Sequence, residues 1–321
     1  MKKYIYLLAA ILITSSCNTD DVITEELEDH YRAKTTTSVA EQTIVFEYTP
    51  APGQFINDLV ASGFDGTQTT AELAVEYAQK RLNDNRYVSL GGFGGYIVVA
   101  FDHNVVNYEQ VADFEILCNT FDGSSEPGVV WVMQDENRNG QPDDTWYELA
   151  GSETGKAETK QNYSVTYFRP EAEGQPVMWR DSEGAEGQID YLKAYHRQAY
   201  YYPAWIKEDS YTLSGTCLKA RNFDRSGNGS YWVLPEYDWG YVDNFSPEDR
   251  LTDDDNASAG TNANHFDISN AVDANGKAVE LKYIDFVKVQ CAVNSKSGWL
   301  GEVSTEVFGF YDYGLKLSRD E

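Results

Sequence analysis

The spacing of hydrophobic and polar positions changes twice along the 321-residue chain. Tyr4 to Ile13 form an apolar run, and residues 18–42 then carry charges without a sustained period. From Ile44 apolar positions return, and Phe46, Tyr48, Pro50, Pro52 and Phe55 mark an extended segment. In AELAVEYAQKRLND (71–84), Leu73, Tyr77 and Leu82 recur at helical spacing and predict the one convincing helix.

Beyond it lie short apolar runs broken by Gly, Asn and Asp: YIVVAFD (96–102), DFEILCN (113–119), GVVWVMQ (128–134), SVTYFRP (164–170), SYTLSG (210–215), YIDFVKVQCAV (283–293) and EVSTEVFGFYDY (302–313). Strands at this spacing predict a mainly β fold, a jelly-roll-like β-sandwich with long loops and one N-terminal helix. No linker-like break divides residues 43–316, so a single domain is expected there, with a short tail at 317–321. No internal repeat is visible.

The first apolar run is too short to span a bilayer, and Lys2 and Lys3 precede it. Residues 1–16 therefore read as an export signal. Ser15-Ser16-Cys17 resembles the lipobox of bacterial lipoproteins, with Thr14 where that motif usually has leucine; the resemblance implies acylation of Cys17. Ordinary secretion with an incidental cysteine is the alternative. Asp20, Asp21, Glu25 and Glu26 resemble the acidic segments that send lipoproteins to the outer face of the outer membrane. Residues 17–42 are expected to form a flexible acidic tether.

Formal charge is −27, and two units more negative once Lys2 and Lys3 leave with the signal. Such a surface repels nucleic acid and anionic headgroups, and suits a protein that binds cations or faces open solvent. Beyond Cys17 the cysteines are Cys118, Cys217 and Cys291, an odd number that gives no disulfide framework; buried thiols and a single disulfide both stay open. No CxxC is present, and His30, His103, His196 and His265 lack paired spacing, which argues against zinc.

The stretch DENRNGQPDDTW (135–146) carries the clearest chemistry. Calcium takes six to eight hard oxygens, which a short loop delivers from alternating positions around a tight turn. Asp135, Asn137 and Asn139 are first, third and fifth, Gly140 sixth, Gln141 seventh through its carbonyl, and Asp143 ninth. Trp146 occupies the twelfth position, where an EF-hand has glutamate, so Asp144 or Glu148 would close the shell. The flanks VVWVM and WYEL are strand-like, so the expectation is a structural Ca²⁺ between two strands. A solvated Asn/Gly turn is the alternative. Asp224, Ser226 and Asn228 are a weaker echo, read as a plain turn. The run Asp253, Asp254, Asp255 and Asn256 reads equally as a second ion site or an exposed loop.

Aromatics are dense, with 23 Tyr, 7 Trp and 14 Phe, and many fall in loops where a sandwich core does not need them. Tyr200, Tyr201, Tyr202 and Trp205 form one cluster, and Tyr237, Trp239 and Tyr241 a second. Tyr201, Tyr202, Trp205, Tyr237 and Trp239 are the ligand-binding candidates; capping the ends of the core is the competing role. Glu302 and Glu306 alternate on one strand, a pair that could flank a glycosidic bond, although their spacing favours a surface-facing or calcium-bound pair. GGFGG (91–95) opens a strand rather than a helix, so it reads as a tight turn and not a phosphate loop.

The blocks VSLGGFGGYIVVAFD, DFEILCNTFDGSSEPGVVWVMQDENRNGQPDDTWYELAGSE, YYYPAWIKEDSYTLSGTCLKARN, HFDISNAVDANGKAVELKYIDFVKVQCAV and GWLGEVSTEVFGFYD resemble one family over Phe46 to Tyr313. It comprises bacterial cell-surface lipoproteins encoded beside TonB-dependent receptors and β-propeller surface proteins. The resemblance implies a non-enzymatic outer-membrane accessory that binds a nutrient, most plausibly a cobamide, and assists a TonB-dependent receptor or its surface lipoprotein. A glycan-binding or adhesive protein is the alternative, and a glycosidase using Glu302 and Glu306 a third.

Overall fold

The computed structural model describes residues 31–108, 111–249 and 262–320. Cys17 and the acidic run Asp253–Asn256 lie outside the described residues.

After β1 (Ile44–Thr49) the chain forms α1 (Ala71–Asn83), β2 (Val88–Ser89), β3 (Tyr96–Val106), β4 (Phe114–Cys118), β5 (Gly128–Met133) and β6 (Tyr147–Leu149). An excursion follows through β7 (Lys160–Phe168), β8 (Val177–Asp181), β9 (Glu186–Ile189), β10 (Ser210–Cys217) and the short hairpin β11 (Phe223–Asp224) and β12 (Trp232–Val233). The chain then returns in β13 (Asn262–Phe266), β14 (Ala271–Val272), β15 (Tyr283–Cys291), β16 (Glu306–Asp312) and the terminal helix α2 (Tyr313–Asp320).

Two antiparallel sheets make the sandwich: six strands in the order β1-β3-β15-β5-β6-β14 and four in the order β13-β4-β16-β2. Register places like with like. Val287 of β15 stands beside Val99 and Val132, and Val289 beside Ile97 and Val130, so each row offers branched apolar groups to one face. Those rows bury against Phe114, Ile116, Val307 and Phe310 of the smaller sheet. Helix α1 closes one end with Ala74, Tyr77, Ala78 and Leu82, and the Thr70 hydroxyl caps it by accepting the Leu73 amide. The mainly β sandwich expected from the apolar runs is what forms.

A third sheet, β10-β7-β8-β9, has its own core of Tyr163, Val165, Tyr167, Leu213, Tyr201 and Tyr202. Gln290 of β15 ties it to the sandwich by donating to Ser214 O at 2.8 Å. At GGFGG, Gly91 and Gly94 adopt positive φ, and a Cβ on Gly91 would collide with Ala51 O. The motif is the tight turn into β3.

Several boundaries move. The tether expected to run to residue 42 is already anchored at Arg32, which pairs with Asp285 at 3.0 Å and whose carbonyl accepts the Asn104 amide at 2.9 Å. The expected tail, 317–321, begins within α2 rather than after it. Cys118, Cys217 and Cys291 are free, buried thiols. Among the described residues no helix is long and apolar enough to cross a membrane.

Candidate functional site

The 135–144 loop joins β5 to β6, so the segments flanking it are strands, as expected. Its first carboxylate wraps the rest: Asp135 accepts the Asn139 amide at 3.1 Å and the Gly140 amide at 2.9 Å. That closure needs left-handed backbone at Arg138 (φ 63) and Gly140 (φ 70). Asn137 Nδ2 donates to Asp143 at 2.8 Å and to Asp144 at 3.1 Å, and Asn139 Nδ2 donates to Asp143 at 2.9 Å. Asp135, Asn137, Asn139, Asp143 and Asp144 are thereby linked in one hydrogen-bonded cluster, and the two asparagine amides hold the Asp143 carboxyl below its usual range. The Asp135 amide anchors the loop by donating to buried Asp285 at 2.9 Å.

Two details differ from expectation. Gln141 O already accepts the Asp143 amide at 2.9 Å, so it takes part in the turn itself. Glu148 does not reach the loop; it is buried on β6, where the Thr216 hydroxyl donates to it, and burial pushes its carboxyl up to about 7. Asp144 is the acid that joins the loop's network instead, accepting from the Asn137 backbone and side-chain amides. At the echo, Asp224 closes the β11–β12 hairpin by accepting the Ser226 and Gly229 amides.

A second acidic group lies inside the protein. Glu126 precedes β5, Asp243 sits on a segment laid antiparallel to it through Gly128 and Val242, and Glu306 opens β16. One carboxylate oxygen from each lies within 4.8 Å of the others. The Glu306 amide donates to Asp243 at 2.9 Å, the Ser304 amide to Glu126 at 3.1 Å, and the Ser304 hydroxyl to Glu306 at 2.5 Å. Burial raises all three carboxyls, and the strongest charges acting on Glu126 and Asp243 are their acidic neighbours. Glu306 is pushed up to about 7, with the Ser304, Ser89 and Asn119 side chains pulling the other way.

Two buried carboxylates and a half-buried third this close require protons or a cation between them. The ligand atoms are oxygen, from three carboxylates with the Ser304 hydroxyl beside them, which fits a hard divalent cation, while Asn119 donates its amide N–H to Glu306 at their edge. Sequence reasoning found Glu306 but missed Glu126 and Asp243. Of the two arrangements expected for Glu302 and Glu306, surface-facing or calcium-bound, the first does not hold: Glu302 is 3% exposed and Glu306 2%, so neither faces solvent. Glu302 accepts the Gln54 amide at 2.7 Å, its Oε2 has no partner, and burial pushes it up to about 8.

The aromatic candidates divide. Tyr201, Tyr202, Trp205 and Tyr237 are buried core, with hydroxyls spent inside: Tyr202 donates to Glu208 O at 2.9 Å and Tyr237 to Lys219 O at 2.7 Å. They cap and fill the layers instead of forming an exposed surface: Tyr201 and Tyr202 belong to the core of β7 and β10, Tyr237 packs with Tyr241, and Trp205 with Tyr48 and Phe64. Trp239 alone of the five is partly exposed. It lines a cleft of about 390 Å³ with Leu149, Phe266, Val111 and the acids Glu248 and Asp249.

The chain matches none of the protein-family models and none of the curated proteins with which it was compared.

Proposed function

We propose that the protein is a non-catalytic, calcium-stabilised binding module of the cell exterior, held by a lipid on Cys17, that takes up a small nutrient in the Trp239 cleft. The observation that carries this reading is the convergence of Asp135, Asn137, Asn139, Asp143 and Asp144 on one loop. An asparagine amide turned half-way round presents oxygen where nitrogen now points, so these five side chains can supply the shell of a Ca²⁺ ion. Calcium bound there would offset two of the three negative charges on Asp135, Asp143 and Asp144 and fix the β5–β6 connection, a structural role. The strand order supports a jelly roll: β15 lies between β3 and β5 while β16 lies between β2 and β4.

Burial of Glu302 and Glu306 supports a binding protein over a glycosidase, since neither carboxylate faces solvent where a glycosidic bond could meet it. The cleft favours a neutral or cationic ligand with an apolar face, because an indole and apolar walls stand beside Glu248 and Asp249. Its volume is near the lower end for drug-sized ligands, about 300–1,000 Å³, so a cobamide would rest on the rim and enter only in part. A sugar ring fits within it, which favours the glycan-binding alternative as a second reading. The partner proposed is a TonB-dependent receptor or its surface lipoprotein.

Calorimetry on calcium-loaded protein with cyanocobalamin and with neutral oligosaccharides separates these ligands. Heat that disappears in the Trp239→Ala variant supports the cleft. Silence from both ligand classes removes the binding reading.

A further inference from the structure

A second groove, remote in sequence from Trp239, has the opposite chemistry. It measures about 410 Å³ and is lined by Val60, Gly63, Arg81, Arg86, Tyr87 and Phe308. The apolar side is presented rigidly. Leu59 is 61% and Val60 94% exposed, yet their turn is fixed by Asp58, which accepts the Val60 amide at 2.9 Å and the Ala61 amide at 3.3 Å. Asp58 is itself buried and faces His196 at 3.2 Å, so it is not available to a cation in the groove.

Arg81 is held on three sides. Its Nε donates to Tyr87 O at 3.0 Å, its guanidinium lies 5.0 Å from the Tyr87 ring centre, and a Cβ on Gly63 would come within 2.7 Å of Nη1. Its terminal nitrogens have no hydrogen-bond or ion-pair partner among the described residues. Arg86 is exposed and its side chain likewise has none; its backbone amide donates to Arg81 O at 2.8 Å, which keeps the two residues together. The negative end of α1 accounts for a cation at residue 80 or 81. It does not account for Arg86, and Asp84, an acid whose charge reaches both guanidinium groups, is itself paired with Lys80 and hydrogen-bonds to neither.

We propose that this groove binds a small organic carboxylate with an apolar body. The carboxylate takes the fork of terminal donors on Arg81, for which guanidinium geometry is matched. Arg86 supplies the second charge, and the apolar body lies against Val60, Tyr87 and Phe308. This site is independent of the Trp239 cleft, whose acidic rim suits the opposite charge.

The test is an amide chemical-shift titration of the full mature protein with phenylacetate, indole-3-acetate and 4-methylpentanoate, each against its uncharged alcohol. Saturable shifts at the Gly63 and Phe308 amides are expected with a Kd of about 1 mM or tighter, weakening in high salt. Arg81→Gln should weaken binding about tenfold or more, and Arg81→Lys should restore only part of it. Arg86→Gln, at an exposed side chain that leaves the fold intact, should weaken it severalfold. Three findings would each overturn the proposal: no saturation by any of the three acids up to about 20 mM, equal shifts with the alcohols, or unchanged affinity in Arg86→Gln.

Discussion

The backbone amide of Glu306 donates to the carboxylate of Asp243 at 2.9 Å, and the two side chains share a buried pocket of oxygen with Glu126. Two strands and a long crossover segment are thus joined at a point where acids meet acids. The arrangement stores a sensitivity to protons and to cations.

That sensitivity sets a pH dependence. Glu306 is pushed up to about 7 and Glu302 to about 8, from an ordinary value near 4.5. A carboxyl raised in the folded state binds its proton more tightly there than in the unfolded chain. Its stabilising contribution is complete below the unfolded pKa and is lost as pH rises through the folded pKa. Stability measured by chemical denaturation in chelator should therefore fall between about pH 5 and pH 8. Glu306→Gln should flatten the fall and gain between about 1 and 3 kcal/mol at pH 8. An unchanged pH slope in that variant would show that the cluster is not its source.

His103 gives a second, separable dependence. It is fully buried, with Nδ1 2.6 Å from Asp102 and Nε2 2.7 Å from Asp312, and Asp312 caps α2 by accepting the Leu315 amide. Burial lowers the imidazole pKa, but hydrogen bonds and charge from the two acids outweigh it and raise it above the ordinary value. The clamp is strongest below the unfolded histidine value near 6.5 and weakens as pH rises through the folded one. His103→Gln should cost about 3 kcal/mol by leaving Asp312 buried without its partner. A loss below about 0.5 kcal/mol would mean that the clamp is idle.

Core and cleft aromatics should respond in opposite ways. Tyr201 is buried in the core of β7 and β10 and Tyr237 in a separate one with Val129, Leu234 and Tyr241, so Tyr237→Ala or Tyr201→Ala should cost about 3–5 kcal/mol. Trp239→Ala should stay within about 1 kcal/mol and change ligand binding instead. Denaturant midpoints for the three variants decide it, and a large loss at Trp239 would make that ring a core residue.

The periodic parts of the fold were legible in the sequence. Helix α1 announces itself through Thr70 and through Tyr77 and Leu82 on one face, and the apolar runs at Ile97, Val130 and Val287 mark the central strands. Strand β13 is Asn-Ala-Asn-His-Phe, a polar string that nonetheless is buried, because Asn264 and His265 are satisfied by Asp249, Asn244 and Glu115. No hydrophobic period reveals such a strand. The β8–β9 hairpin alternates too irregularly to be seen.

The loop at Asp135 was legible because its chemistry is local, seven oxygen-bearing side chains within ten residues. The cluster at Glu126 was not, since its members lie more than fifty residues apart and each resembles a surface acid in isolation. The one hint was position: Glu126 lies two residues before the start of β5 at Gly128, and Asp243 follows buried Tyr241 and Val242. Dense loop aromatics misled in the other direction. A third sheet with its own core consumes Tyr201 and Tyr202; its strands β7 and β10 showed as apolar runs, but nothing in the sequence set them apart from the sandwich.

The most direct measurement is thermal melting of the mature protein and its Asp135→Ala variant, each with excess Ca²⁺ and with chelator. If Asp135 to Asp144 hold a structural calcium ion, the parent melts roughly 5–10 °C higher with calcium, and Asp135→Ala removes most of that difference. Identical melting with and without calcium, or a full calcium response in Asp135→Ala, would contradict the account.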